Sequence, residues 1–209
     1  MSRSTLIEIN LSAIDANARS LKKSAGTQKL MAVVKANAYG HGAERVAAHI
    51  EKTVDALAVA FTEEAVELRE SGISAPILVL EGPHTPTELA LSTKLDLWPV
   101  LHQPAQLEWC ANLNNTLKHA WIKVDTGMHR LGFPPSQLAD VKRRLNELRI
   151  QNITTMSHLA SAESPESGTT QGQIRQWNDY CANWSDTTSL HNSAATRHGV
   201  NGRSHWARV

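Results

Sequence analysis

The chain has 209 residues, of which 41% are apolar, and its 21 basic residues nearly balance its 20 acidic residues. This length suffices for one large domain, and the charge balance argues against a nucleic-acid-binding or membrane-surface protein, since both usually carry a basic excess. No apolar run reaches the ~18 residues that a membrane helix needs, no signal-peptide core precedes the first predicted helix, and the two cysteines suggest neither a disulfide framework nor a metal motif. We therefore expect a cytoplasmic protein with no membrane or nucleic-acid partner.

Short apolar runs alternate with helical patterns along the chain. A capping-box pattern at Ser12 and Asp15 predicts a first helix that continues through Lys23. Of the apolar runs after this helix, the fourth, at 96–100, is the weakest strand prediction because it contains Pro99, and proline donates no hydrogen bond within a sheet. The runs predict eight strands, in chain order at 30–34, 56–60, 76–80, 96–100, 120–124, 153–157, 188–191 and 205–209.

Helical periodicity and loop composition fill the intervals between these strands. Apolar spacing predicts helices over 43–50 and 62–71, and Gly72 suits the end of the second. The basic run at 142–144 lies among leucines and a valine at helical spacing, which predicts a solvated helix face. The stretch 161–172 is rich in Ser, Glu, Gly and Thr, which predicts a loop after the sixth strand.

Strands of near-continuous apolar character, each followed by a helix, are typical of parallel strands buried on both faces. Eight such units close a TIM barrel. We therefore predict an α/β fold with one domain over residues 1–209, a (β/α)8 barrel that ends within its eighth strand and so leaves strands one and seven with unpaired edges. A doubly wound open sheet is the alternative, but its Gly-rich phosphate loop, GxGxxG, does not occur.

Lys35 follows four apolar residues and is expected at the carboxyl end of the first strand, where catalytic groups gather in such barrels. Partial desolvation there makes a lysine amine available as a nucleophile, although most lysines are simply exposed. Tyr39, Gly40 and Gly42 then predict a tight loop into the helix that begins near Ala43, and a helix N-terminus beside a hydroxyl suits an anion. At this point the sequence leaves a surface lysine and a catalytic lysine both open.

Further candidate groups follow later strands at the same edge of the barrel. Lys123, Asp125 and Arg130 lie on the fifth strand and its loop, where the arginine could bind a phenolate or carboxylate, or form an ordinary surface ion pair. His158 follows the sixth strand, either as a structural histidine or as a flat ring that stacks on an aromatic cofactor. Ser193 follows the seventh strand, a position at which TIM barrels often bind phosphate.

Five elements together resemble the alanine racemase family of fold type III enzymes, which depend on pyridoxal 5'-phosphate (PLP). The segments AVVKANAYGHG, KVDTGMHRLGF, SHLA and HNSAA, followed by Arg208, stand in the family's order, and the resemblance covers residues 5–209. It implies that Lys35 is the catalytic residue and binds PLP covalently, with no metal involved. The residues that it implies for cofactor binding are Lys35, Tyr39, Arg130, His158, Asn192, Ser193 and Arg208.

The resemblance also implies a function, the interconversion of L-alanine and D-alanine that supplies D-alanine for peptidoglycan. Lys35 would remove the α-proton of D-alanine, and Arg130 would bind the PLP phenolic oxygen and the substrate carboxylate. Lys123 matches a position that is often carbamylated, where the added carboxylate orients that arginine. Arg208 would donate to the pyridine nitrogen; because arginine keeps its proton, the nitrogen stays unprotonated, which makes PLP a poorer electron sink and favours racemisation over transamination.

The sequence departs from the family in its extent. Family members continue with a Gly-Ile segment that helps to bind phosphate, an eighth barrel helix and a β-rich C-terminal domain. A tyrosine of that domain is the second base and acts across a homodimer interface. Because racemisation needs one acid/base group on each face of the planar carbanion, we expect this chain to be a fragment with little or no racemase activity alone.

Three alternatives remain open from the sequence. The length favours a non-catalytic, single-domain PLP-binding barrel that serves cofactor homeostasis, whereas the KVDTGMHRLGF and HNSAA segments favour the racemase. A racemase of other amino acids is a second alternative. A PLP decarboxylase of the same barrel type is a third, and it is disfavoured because those enzymes place an acidic residue where this sequence has Arg208.

Overall fold

A computed structural model of the chain describes residues 5–113, 117–150, 152–181, 184 and 186–209. Over these residues eight strands form one parallel sheet in the order β7-β6-β5-β4-β3-β2-β1-β8, which confirms the predicted TIM-barrel architecture. Each strand lies within two residues of its predicted ends. The strands are β1 Lys29–Val33, β2 Ala56–Val59, β3 Ile77–Val79, β4 Leu97–Leu101, β5 His119–Lys123, β6 Asn152–Met156, β7 Thr187–Ser189 and β8 Trp206–Arg208.

The barrel closes more fully than the sequence predicted. Strand β8 pairs in parallel with β1 along its whole length, and it is as long as β3 and β7. On its other side the N–H of His205 donates to the carbonyl oxygen of Thr188 at 2.8 Å, and the N–H of Arg208 donates to that of His191 at 2.9 Å. The prediction of unpaired edges on strands one and seven was therefore wrong, because three residues of β8 are enough to reach both neighbours.

Helices cover the outside of the strands. The first is capped two residues earlier than predicted, by Asn10 rather than Ser12: the Asn10 side-chain oxygen accepts the N–H of Ala13 at 3.0 Å. No helix among the described residues is long and apolar enough to cross a membrane. The helices are Leu11–Ala25, Ala43–Ile50, Thr62–Glu70, Pro86–Lys94, Pro104–Ala111, Leu138–Glu147, Gly168–Cys181 and Ser193–His198, with a 3-10 turn at Pro135–Gln137.

Part of the stretch predicted as a loop, 161–172, is helical. The helix Gly168–Cys181 begins inside it. The Ser167 hydroxyl accepts the N–H of Thr170 at 3.2 Å, and the Ser167 carbonyl accepts that of Gln171 at 2.9 Å. Composition alone predicted a loop here, whereas Ser167 caps a helix.

The basic run at 142–144 divides between core and solvent. Lys142 is only 4% exposed; its ammonium pairs with the carboxylate of Asp186 and lies 3.8 Å from the ring centroid of Trp184. Burial lowers the pKa of Lys142, and Asp186 opposes that effect. Arg143 is exposed and pairs with acids on its own helix. The prediction of a solvated face was thus wrong for Lys142, whose stem covers apolar surface.

A layer of aromatic rings lies inside the barrel, toward the amino ends of the strands. Trp121 stacks on Trp98 with ring centroids 6.1 Å apart, and Trp206 packs against both rings at 5.7 and 5.9 Å. His119, at the start of β5, lies 5.0 Å from Trp98. Because Trp206 opens β8 and Trp98 is the second residue of β4, this layer lies toward the amino ends of the strands. The carboxyl ends are thereby left as the place for a cleft.

Candidate active site

A cleft of about 660 Å³ opens at the carboxyl ends of the strands, a volume typical of small-molecule sites. Apolar side chains such as Leu80, Leu131 and Met156 form part of its wall. Of the candidate residues that the sequence and the resemblance single out, the structure brings eight to this cleft, whereas Asp125 is not among the lining residues. The eight are Lys35, Tyr39, Lys123, Arg130, His158, Asn192, Ser193 and Arg208.

Lys35 stands at the start of a left-handed helical turn. The next residues, Ala36, Asn37 and Ala38, have φ of 51–54° and ψ of 46–52°, and Tyr39 has φ 53°. Four consecutive non-glycine residues in this region are rare, because each costs roughly 1–2 kcal/mol. The sequence predicted a tight loop from its glycines, yet residues with side chains form the turn. The turn brings the Tyr39 side chain to the cleft wall, and partial burial raises the pKa of its hydroxyl.

Besides the hydrogen bonds within the turn, three bonds anchor it to its surroundings. The N–H of Ala38 donates to the carbonyl oxygen of Val34 at 2.8 Å, and the side-chain oxygen of Asn37 accepts the N–H of Ala43 at 2.8 Å. At the first residue of the turn, the N–H of Ala36 donates to the carboxylate of Glu64 at 2.5 Å. The turn is therefore anchored both to the strand before it and to the helices Ala43–Ile50 and Thr62–Glu70.

Lys123 ends β5 and is 6% exposed. Burial lowers its pKa to about 8, and the charges of Arg130 and Arg208 add to that effect. The neutral form of this amine is therefore more populated near physiological pH than that of an ordinary lysine.

Asp125 shapes the loop that carries Arg130. One carboxylate oxygen accepts the N–H groups of Gly127, Met128 and His129 at 2.9 to 3.0 Å. Burial opposes ionisation of Asp125, but these N–H groups and the His129 side chain outweigh it and hold the carboxyl pKa below its usual value. The bonds curl the loop into a compact turn, from which Arg130 reaches the cleft.

Arg208 is buried at the end of β8, with only 4% of its surface exposed. Its guanidinium donates to the carbonyl oxygen of Ser157 at 2.7 Å and to the hydroxyl of Ser189, and it lies 3.4 Å from Nδ1 of His158. All three acceptors are uncharged, so no carboxylate within this set neutralises the guanidinium. Burial lowers the pKa of Arg208 to about 10, which still leaves it charged at neutral pH.

His158 is neutral in this setting. Burial, followed by the charge of Arg208 and the other nearby cations, lowers its pKa to about 3. Because an arginine can only donate, the contact with Arg208 assigns the acceptor role to Nδ1 and the imidazole proton to Nε2. The buried side chain of Gln173, which sequence reasoning missed, fixes this loop by donating to the His158 carbonyl oxygen at 3.0 Å and accepting the N–H of Ala160 at 2.9 Å.

Asn192 and Ser193 line the cleft after β7, but they differ in what they offer. The Asn192 side-chain oxygen accepts the N–H of Ala195 at 3.0 Å and so caps the helix Ser193–His198, while its amide donates to the carbonyl oxygen of Leu159 at 3.4 Å. Ser193 is exposed at the first residue of that helix. The hydroxyl of Ser193 is therefore the more available of the two groups.

Glu81 is a second cleft residue that sequence reasoning missed. It follows β3 and is the acidic side chain of the cleft lining. Its place immediately after a predicted strand end, the criterion applied to Lys35 and His158, could have found it. Two lysines and two arginines line the same cleft, so the charge of the cleft as a whole is predominantly positive. The arrangement suits a flat ligand that carries anionic groups and reacts with an amine.

The family model described as alanine racemase, N-terminal domain, matches residues 9–209. The chain is 38% identical to an alanine racemase of Alteromonas mediterranea, over 100% of this chain and 59% of that protein. It is 41% identical to an alanine racemase of Pseudomonas syringae pv. syringae, over 96% of this chain and 56% of that protein. The chain thus spans less than two thirds of the length of these relatives.

Solved structures agree with the sequence comparison. The biosynthetic alanine racemase of Pseudomonas aeruginosa superposes with a TM-score of 0.89 at 36% identity, over 96% of this chain and 56% of that chain. The alanine racemase of Acinetobacter baumannii gives a TM-score of 0.86 at 27% identity. Fold, motif order and whole-chain similarity agree, and the chain belongs to the alanine racemase family.

Proposed function

We propose that residues 1–209 are the PLP-binding barrel domain of an enzyme that interconverts L-alanine and D-alanine, and that Lys35 binds the cofactor. The observation that carries this proposal is the convergence of an amine, two guanidinium groups and a neutral imidazole in one cleft of about 660 Å³. In the cell such an enzyme would supply D-alanine for peptidoglycan.

The donor set of the cleft fits PLP. The cofactor presents an aldehyde, a phosphate, a phenolic oxygen and a pyridine nitrogen, and the cleft offers a primary amine, hydroxyls and positive charge. The buried guanidinium of Arg208, whose hydrogen-bond partners Ser157, Ser189 and His158 are uncharged, suits a ligand group that accepts a hydrogen bond. When bound, PLP would supply an electron sink that stabilises negative charge on the α-carbon of the substrate.

The chain's own residues would bind and orient the ligands. The hydroxyls of Tyr39 and Ser193 would donate to the phosphate, and the raised pKa of Tyr39 keeps its proton available for that bond. Neutral His158 can lie against an aromatic ring without bringing a further charge into a cationic cleft. Arg208 would donate to the pyridine nitrogen and, because it stays charged, leave that nitrogen unprotonated. Lys35 would hold the cofactor and move the α-proton at Nζ.

Lys123 is proposed as a carbamylation site that supports Arg130. Its lowered pKa of about 8 provides the neutral amine that adds to CO2, with release of one proton. The product is a carboxylate in place of a cation, which would pair with Arg130 and orient it toward the phenolic oxygen and the substrate carboxylate.

Racemisation needs an acid/base group on each face of the α-carbon. Among the described cleft residues Lys35 would serve one face. The family resemblance suggests that the group for the other face, a tyrosine, comes from a β-rich domain across a homodimer interface. The chain by itself is therefore proposed to exchange the α-proton of one enantiomer, D-alanine, rather than to racemise it efficiently.

Proton exchange tests this function directly. The chain is incubated with PLP and either D-alanine or L-alanine in D2O, and loss of the α-proton signal is followed by NMR. We expect exchange with D-alanine that Lys35→Met abolishes and Lys29→Met, at the opposite end of β1, leaves unchanged. Borohydride reduction followed by peptide mapping should place PLP on Lys35. PLP on Lys35 without any exchange would instead indicate a non-catalytic PLP-binding barrel, and no PLP on Lys35 would refute the proposal.

A further inference from the structure

The carboxylate of Glu64 connects two strand ends at the mouth of the barrel. Glu64 lies in the first turn of the helix Thr62–Glu70 and is half-buried. One carboxylate oxygen accepts the N–H groups of Ala60 and Phe61, at 2.7 and 3.0 Å, where the chain leaves β2. The other oxygen accepts the N–H of Ala36 at 2.5 Å, 28 residues earlier in the chain. A single side chain thus fixes the ends of β1 and β2 relative to each other.

The two halves of this arrangement have different consequences. The bonds to Ala60 and Phe61 cap the helix that carries Glu64, a common role for a glutamate near a helix start. The bond to Ala36 does nothing for that helix. It holds the residue immediately after Lys35, at the first position of the left-handed turn, where the backbone conformation is intrinsically unfavourable. A carboxylate is a stronger acceptor for such an N–H than a neutral group or water.

We infer that Glu64 is a positioning residue for Lys35: it fixes the left-handed turn at its first N–H and so sets the direction from which the Lys35 amine enters the cleft. The inference rests on the proposed function, in which that amine binds PLP. Without this bond Ala36, the first residue of the turn, loses an anchor, and its backbone can relax from the left-handed region toward ordinary φ and ψ values, which changes the path of the chain next to Lys35. The amine would then spend less of its time where it can meet a ligand.

Glu64→Asp separates positioning from capping. Aspartate is itself a good residue near a helix start, so the cap can be kept, but the side chain is one methylene shorter and cannot reach both Ala36 and the helix. Glu63→Asp is the matched control, because Glu63 is exposed on the same helical turn and undergoes the same chemical change. Two quantities are measured: hydrogen exchange of the Ala36 amide in the chain without PLP, by NMR, and the fraction of Lys35 that carries PLP after borohydride reduction, across a PLP titration.

In Glu64→Asp we expect the Ala36 amide to exchange about 10- to 100-fold faster and half-maximal attachment to need about tenfold more PLP, with the thermal midpoint changing little. Glu63→Asp should match the wild type in both. If Glu64→Asp does not fold, Glu64→Gln is used instead, because glutamine keeps the side-chain length but has one acceptor oxygen in place of two. Protection from hydrogen exchange must then fall either at the Ala36 amide or at the Ala60 and Phe61 amides. Wild-type protection at all three amides in the folded variant would overturn the inference, as would wild-type attachment in Glu64→Asp.

The two measurements also separate this inference from the proposed function. A wild-type chain that attaches no PLP at Lys35 would refute the proposed function. The exchange measurement needs no cofactor, and it would then decide whether Glu64 fixes the turn.

Discussion

Replacing Lys123 with methionine should stabilise the chain at neutral pH, because it removes a buried charge while keeping most of the side-chain volume. Lys123 is 6% exposed, its neighbours Arg130 and Arg208 carry the same charge, and the ion pairs found among the described residues do not include it. A pKa of about 8 in the folded chain, against 10.5 for an ordinary lysine, corresponds to about 3 kcal/mol of unfavourable free energy when the amine is charged.

The pH dependence has a definite sign. The folded pKa of Lys123 lies below the unfolded value, so the cost is fully present below pH 8. Between about pH 8 and 10.5 the unfolded chain binds a proton that the folded chain does not, and wild-type stability rises with pH. The advantage of Lys123→Met should therefore be largest at neutral pH and shrink toward pH 10.5.

Urea unfolding followed by tryptophan fluorescence measures this difference. Buffers are kept free of CO2, because a carbamate on Lys123 would itself remove the positive charge. Lys118→Met is the control: Lys118 is 68% exposed, so its variant should show no comparable gain. The reasoning is refuted if Lys123→Met is less stable than the wild type at neutral pH, or if the gap between the two is the same at both ends of the pH range.

Three further substitutions test the fold around the site. Asp125→Asn should lower the free energy of unfolding by about 1–3 kcal/mol at neutral pH and loosen the loop that carries Arg130. Because the folded pKa of Asp125 is lowered, the stability advantage of the wild type is present above pH 3.8 and should vanish as pH falls below it, which acid titration of both proteins would show. Gly82→Ala should destabilise by at least about 3 kcal/mol in urea unfolding, since a Cβ there would lie 2.0 Å from the carbonyl oxygen of Val100 at φ +68°, and a normal midpoint would contradict this. Trp121→Ala removes a 2% exposed ring from the aromatic layer and should cost about 3–5 kcal/mol in thermal unfolding, whereas a smaller loss would mean that the layer repacks.

The sequence was informative where burial alone decides the structure. Most strands of this barrel are apolar on both faces, and the sequence located each strand to within two residues. Pro99 suggested a weak fourth strand, yet β4 is regular. The register shows how the strand accommodates the proline: Pro99 is the last residue that pairs with β3, and pairing with β5 is found from Val100 onward, so β4 still joins its two neighbours.

The sequence was less informative where a structure depends on a distant partner. Nothing in the composition of the segment after Lys35 predicts alanines with positive φ, because the first of them is held by the carboxylate of Glu64, 28 residues away in the chain. Lys142 was assigned to solvent for the same reason, since its partner Asp186 lies on a different unit of the barrel. Motifs named eight side chains of the cleft but not Glu81. They also did not name Gln173, which lies behind the cleft and fixes the loop that carries His158.

The contacts of Arg208 have a consequence for the order of folding. Its guanidinium bonds to residues that follow β6 and end β7, while its own strand pairs with β1, nearly the whole length of the chain away. Contacts of such long sequence separation form late and slowly, because the entropy of closing the loop is lost before the pairing energy is gained. A ligand that recognises the Arg208 guanidinium in the cleft would therefore bind only chains in which this last step is complete, and the rate at which binding competence appears during refolding would report the closure of the barrel.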